Sequence, residues 1–218
     1  MSGGRLASWW ARLGGGPEPV RWVVLDVETT GLDPSRDRLL AIAAVAVHRQ
    51  GRRLWIDAAD SFDVVLRWDA QPAADKTNIL LHGIGVGEQQ RGVEAARALK
   101  AFEAFAGDSP RLGFHVAFDR AVIERACRTA LGRAASATWL DIEPLAAVTH
   151  PKVRAKALDE WLDHFGIVCL QRHQATADTL ATAELLLRLW PALCAEGAGT
   201  VRALQKLAQS QRWVGGGA

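Results

Sequence analysis

Apolar positions along this chain follow two rhythms, and the change of rhythm divides it into elements. Trp22-Val-Val-Leu25 is an unbroken, β-branched run, and the expected strand continues through Asp26-Val27-Glu28. Thr29-Thr-Gly-Leu-Asp-Pro34 carries turn chemistry, and Leu39 to Val47 is a second apolar strand. Gln50-Gly51 marks a turn into a third strand region, Leu54 to Leu66. Connections this short predict an antiparallel meander.

Beyond the meander the period lengthens. Residues 70–92 read as loop, with Pro72 and glycines at 83, 85, 87 and 92. From Val93 to Ala106, apolar residues at 93, 96, 99, 102, 105 and 106 trace a helical stripe, which Gly107-Asp-Ser-Pro110 stops. Arg111 to His115 reads as a short strand. Asp119 then opens a helix with Val122, Ile123, Ala126, Cys127 and Ala130 on its inner face. Trp139-Leu-Asp141 is a brief strand, Ala157 to Phe165 a helix ended by Gly166, and Ala175 to Trp190 a long helix stopped at Pro191. Residues 200–213 predict a final short helix. Three paired strands extended by crossovers give an α/β fold, a mixed sheet with helices on its faces. Residues 1–19 are expected to be a flexible tail, 20–192 one domain, and 193–218 a C-terminal helix and tail.

Composition narrows the picture. The 218 residues suffice for one α/β domain, and 49% hydrophobic with 23% charged residues is the profile of a soluble globular protein. A net charge of +2 excludes a histone-like basic blanket but leaves room for a local basic rim. Cys127, Cys169 and Cys194 are odd in number and form no CxxC pair, which argues against a zinc ribbon and for a reducing compartment. The apolar patch Leu6 to Trp10 is broken by Arg12 too early for a signal peptide, and no run is long enough to span a bilayer. The expectation is a cytoplasmic protein without a membrane partner.

The candidate chemistry begins with Asp26 and Glu28. Strand side chains alternate, so these two carboxylates leave the same face at the end of an apolar strand. Mutual repulsion and partial burial are both relieved by a divalent cation, and Mg²⁺ and Mn²⁺ prefer such oxygen ligands. The alternative is that Glu28 reaches solvent and Asp26 caps the turn. Asp119 alone reads as well as a helix N-cap, but it lies just past a strand end, where the functional groups of α/β sheets collect. Asp178 stands among small apolar residues of the long helix, so it faces either solvent or something charged. His173, five residues earlier, has a specific use beside a carboxylate–metal cluster: taking a proton from an attacking water near neutral pH.

Together these pieces resemble the DEDDh branch of the DnaQ-like 3′–5′ exonucleases, a family that includes the proofreading subunit of bacterial replicative polymerase, ribonuclease T and oligoribonuclease. The first motif is similar to Asp26-Val-Glu28-Thr-Thr-Gly-Leu-Asp-Pro34, the second to His115-Val-Ala-Phe118-Asp119, and the third to Arg172-His173-Gln-Ala175-Thr-Ala-Asp178. His82-Gly-Ile84 resembles the family's short loop between meander and first helix. The likeness covers roughly residues 20–190. One departure is Val116, where the family usually has Asn, which implies the loss of a polar contact either near the substrate or in the residues supporting it.

The resemblance implies a ribonuclease-H-like fold with a five-stranded mixed sheet. It also implies two Mg²⁺ or Mn²⁺ ions held by Asp26, Glu28, Asp119 and Asp178, with His173 as general base releasing nucleoside 5′-monophosphates. By the same analogy Thr29, Leu32, His82, His115 and Phe118 hold the 3′-terminal nucleotide. Leu32 would wedge between the last two bases and Phe118 would stack, although both also fit ordinary core packing. The expected partner is single-stranded nucleic acid or a 3′ end, with a DNA polymerase or repair protein as a further partner; DNA against RNA and oligomeric state stay open. His150-Pro-Lys152-Val-Arg154-Ala-Lys156 either tracks the substrate backbone or is a solvated basic loop. The competing function is a non-catalytic nucleic-acid or polymerase-binding module on the same fold.

Overall fold

A computed structural model of the chain describes residues 20–69, 79 and 82–214. The tail expected over 1–19, most of the 70–81 loop and the glycines at 215–217 lie outside the described residues. The meander is present as β1 (Val20–Thr29), β2 (Leu39–Gln50) and β3 (Arg53–Arg67), each antiparallel to the next. Short parallel strands β5 (Arg111–Gly113) and β6 (Trp139–Asp141) extend the sheet beyond β1.

Among the described residues the sheet has six strands, in the order β4-β3-β2-β1-β5-β6, where five were expected. The addition is β4, the two residues Val93–Glu94, paired parallel with Leu66 and Arg67 at the edge of the meander. Gly92 makes that pairing possible: a Cβ there would stand 2.7 Å from the Val65 carbonyl oxygen. The helical stripe expected from Val93 consequently starts at Ala95.

The helices are α1 (Val86–Arg91), α2 (Ala95–Ala106), α3 (Ala117–Leu131), α4 (Glu143–Thr149), α5 (Leu158–Phe165), α6 (Ala175–Ala195) and α7 (Val201–Val214). Two of them, α1 and α4, have no counterpart among the expected elements; at one or two turns they are too short to show a stripe. Helix α6 also runs through Pro191, where a stop was expected. Pro191 removes one helical N–H. The turn persists because Trp190 and Leu193 are buried on either side of it and the Trp190 indole donates to the Arg52 carbonyl at 2.8 Å.

β1 explains why its sequence is a continuous apolar run rather than an alternation. Trp22 and Val24 enter the core beneath α4 to α7, whereas Val23, Leu25 and Val27 enter the core beneath α2 and α3. Both faces are therefore buried, and whatever β1 carries at its end is delivered between two layers of helices.

Candidate active site

Asp26 and Glu28 share the parity of Trp22 and Val24, so they emerge on the face covered by α6. Small residues bring that helix close. Ala41 and Ala43 on β2 meet an α6 rich in alanine and threonine, and the buried Thr179 hydroxyl donates to the Ala43 carbonyl at 3.2 Å. The first turn of α6 then meets the acids. The Ala175 N–H donates to the Glu28 carboxylate, and Asp178, 5% exposed, sits one turn on. From the other side, α3 supplies Asp119. The helix begins at Ala117, so Asp119 lies in its first turn rather than at the cap, buried, with the Val27 N–H donating to its carboxylate.

The four acids act on one another. Burial first, then repulsion from Asp119, Glu28 and Asp178, holds the Asp26 carboxyl well above the ordinary carboxylate range. Burial, with repulsion from Asp178 and Asp119, pushes Glu28 up to about 8. Burial, with Asp141 adding to it against the Val27 N–H, pushes Asp119 up to about 7. Glu28 Oε1 is buried without a hydrogen-bond partner among the described residues.

Raised carboxylate values have a thermodynamic consequence. Unfolded Asp and Glu titrate near pH 4, so the stability these protonated acids contribute is complete below that pH. It is lost as pH rises through about 7 and 8. The metal-free protein is expected to melt at least about 2–4 °C lower near pH 8.5 than near pH 6, and Mg²⁺ to restore more of the loss at the higher pH. Thermal melts in EDTA and in Mg²⁺ at both pH values check this; a flat EDTA profile would mean that the acids ionise without a cation.

His173 precedes α6 in a left-handed backbone conformation, φ +60°, rarely adopted outside glycine. Its N–H donates to Asp178 Oδ2 at 3.0 Å, which ties the turn to the cluster and leaves the imidazole exposed. Asp178 Oδ1 accepts from Arg172, whose guanidinium also pairs with Asp159, and from the Cys169 thiol at 3.4 Å. Among the described residues, no three His, Cys, Asp or Glu side chains are closed tightly enough on one point to hold a metal ion as they stand.

The remaining expected residues divide. His82 is at the site: a cavity of about 270 Å³ beside Glu28 is lined by His82, Asp63, Gln171 and Gln174. His82 Nδ1 accepts the Ile84 N–H at 3.0 Å, and burial lowers the ring's pKa. The neutral ring therefore carries its proton on Nε2, which has no partner among the described residues. Leu32 is 89% exposed on the turn after β1, which rules out core packing for it. Phe118 does pack against the α2–α3 core. Thr29 is buried and spends its hydroxyl on the Gly31 carbonyl at 2.6 Å. His115 is exposed with φ +54°, and Val116 is buried at the N-terminus of α3.

Asp141 also ends a strand, the same signal that marks Asp26, and lies outside the three sequence motifs. Its Oδ1 accepts from the His115 N–H at 3.0 Å and the Glu143 N–H at 3.1 Å, fixing the turn that delivers Asp119.

Buried acids at the end of a central strand, answered by acids in the first turns of two flanking helices, place the molecule in the class of ribonuclease-H-like nucleases. Residues 23–186 match the model of a family described as exonuclease. A DNA polymerase III subunit epsilon-like protein of Rhodobacter capsulatus is 32% identical over 86% of this chain and 26% of its own length. A PolC-type DNA polymerase III of Oceanobacillus iheyensis is 31% identical over 77% of this chain and 11% of its own. The zinc-bound Escherichia coli exonuclease I–single-stranded DNA complex superposes with a TM-score of 0.66 at 18% identity, over 82% of this chain and 43% of that one. The chain belongs to the DnaQ-like 3′–5′ exonuclease family. It spans about a quarter or less of the curated relatives named, and no helix among the described residues is long and apolar enough to cross a membrane.

Proposed function

We propose that the chain is a divalent-metal-dependent 3′–5′ exonuclease that hydrolyses single-stranded nucleic acid and releases nucleoside 5′-monophosphates. The observation that carries this is the cluster of Asp26, Glu28, Asp119 and Asp178, in which burial and the neighbouring acids hold Asp26, Glu28 and Asp119 above the ordinary carboxylate range. An all-oxygen donor set with an unpartnered buried Glu28 Oε1 fits a hard cation such as Mg²⁺ or Mn²⁺. Those four residues would hold two such ions. Bound there, divalent ions would lower the pKa of a water and offset charge on the scissile phosphate.

The chain's own groups do the rest. The exposed His173 imidazole accepts the proton of the attacking water. The turn that presents it is anchored through its own N–H on Asp178, so base and acid move together. His82 offers an Nε2–H to the terminal nucleotide at the cavity beside Glu28, and Leu32 offers an apolar wedge. Lys152, Arg154 and Lys156 are exposed, and Lys156 acts on Glu143 together with His115, so this stretch borders the site and can follow the strand. Arg172 balances Asp178 as the site stands. Polymerase and repair proteins remain the partners proposed, and the cytoplasm the compartment.

The open arrangement of the acids favours one second reading, a non-catalytic binding module. A 5′-labelled single-stranded DNA and the matching RNA, each with Mg²⁺, Mn²⁺ or EDTA, separate the two. The exonuclease shortens a linear strand stepwise from its 3′ end only with metal and leaves a circular strand intact. Binding without a ladder on either strand would select the module.

A further inference from the structure

A second concave feature lies at the same end of the sheet, on the opposite helical layer. It is a groove of about 360 Å³ where the end of the 30–38 loop, the end of β3, the start of α2 and the flank of α3 meet. Arg38, Arg67 and Arg125 line it together with Trp68; Asp69 and Glu94 are its acids. Among the described residues neither Arg38 nor Arg67 has a side-chain hydrogen bond or an ion pair. Arg125 is spent on backbone carbonyls, those of Asp37 and, at 3.4 Å, Arg36, and has no ion pair among the described residues. The Trp68 indole N–H is pinned to the Leu39 carbonyl at 2.8 Å, which fixes the ring in the wall.

The groove's position gives it a use. Arg125 stands six residues beyond Asp119 on α3, about 9 Å along the helix axis. The loop that Arg125 clamps carries the exposed Leu32 towards its start and Arg38 at its end, so one loop separates the acid cluster from the groove. Three guanidinium groups that form no ion pair among the described residues, against two carboxylates in the groove, stand beside a fixed aromatic ring and match a chain of phosphates with bases to stack. Free nucleotide would need only one such contact.

We propose that this groove binds the phosphodiester backbone of a single strand upstream of the nucleotide being removed, with Arg38 and Arg67 neutralising phosphates and Trp68 stacking a base. The proposal takes its substrate from the exonuclease reading, yet its test does not require turnover. Fluorescently labelled DNA and RNA strands roughly 15 nucleotides long are titrated with the protein in EDTA near pH 6, across a series of salt concentrations. The Arg38→Gln/Arg67→Gln variant is expected to raise Kd about tenfold on both strands and to flatten the salt slope by about 1.4, from about 0.7 per phosphate contact on a single strand. Arg67→Gln alone, a change at an exposed side chain, should give about half that flattening and keeps the test usable if the double variant does not fold. Arg188→Gln on the far surface of α6 should leave the slope as it is.

Unchanged Kd and slope in a folded double variant would overturn the proposal, as would an equal loss in Arg188→Gln or an effect confined to one of the two strands. A 3′ ladder with an unchanged slope would remove the groove and spare the catalytic reading. A flattened slope without any ladder would support the groove and remove the catalytic reading.

Discussion

Asp26→Asn is expected to lower 3′-end shortening by at least about 10³-fold, equivalent to about 4 kcal/mol of transition-state stabilisation, while making the metal-free protein more stable. The two effects have one cause. Asp26 lies where burial and three neighbouring acids all oppose its charge. Under the proposed metal-binding role, a cation that reverses this cost acts strongly at Asp26, and loss of the carboxylate would remove one of its ligands. In the absence of metal the same loss removes desolvation and repulsion, and asparagine keeps the shape. Above about pH 8 the variant should therefore melt higher than the wild type in EDTA, by about 2–4 °C for each kcal/mol relieved. Initial rates on a labelled strand and paired melts read both quantities. An active variant would remove Asp26 from the machinery, and a dead variant that melts lower would make it a structural acid.

The second large effect is expected at His173. Asparagine is the substitution to make, because it tolerates the left-handed conformation at this position better than alanine does. The His173→Asn turn should keep the N–H donation to Asp178 and lose only the imidazole. Under the general-base role kcat falls by about 10²–10³-fold while KM stays within about twofold. Because the ring is exposed, added imidazole should recover part of the lost rate. A variant with kcat unchanged, or one whose loss lies in KM, would assign His173 to binding or to the turn rather than to proton transfer.

The signals that survived folding are those fixed by the backbone itself. Two-residue alternation put Asp26 and Glu28 on one face, and that face proved to be the one beneath α6. The small residues around Asp178 left it facing either solvent or something charged, and the choice is made only by packing, which buries it in the first turn of α6. Asp119 was legible from its place after a strand, although its helix begins two residues earlier than expected. What escaped was set by packing. Pro191 reads as a stop until Trp190 and Leu193 are seen holding the helix beyond it. β4 is two residues whose only reason to extend is the edge of β3. Asp141 ends a strand that the sequence marks, but its contacts with the His115 and Glu143 N–H groups are tertiary, as is the pairing of Arg172 with Asp178 and Asp159, and no local pattern encodes them.

β1 sends alternate side chains into two cores and ends in two of the four acids. The other two arrive from helices on opposite layers, more than fifty residues apart in the chain. No contiguous fragment that leaves out either layer holds the constellation, and neither core can loosen without moving the strand they share. Under the proposed exonuclease activity, catalytic competence is a property of the assembled layers, so a destabilising change far from the acids would be felt as a smaller fraction of competent molecules rather than as a slower enzyme.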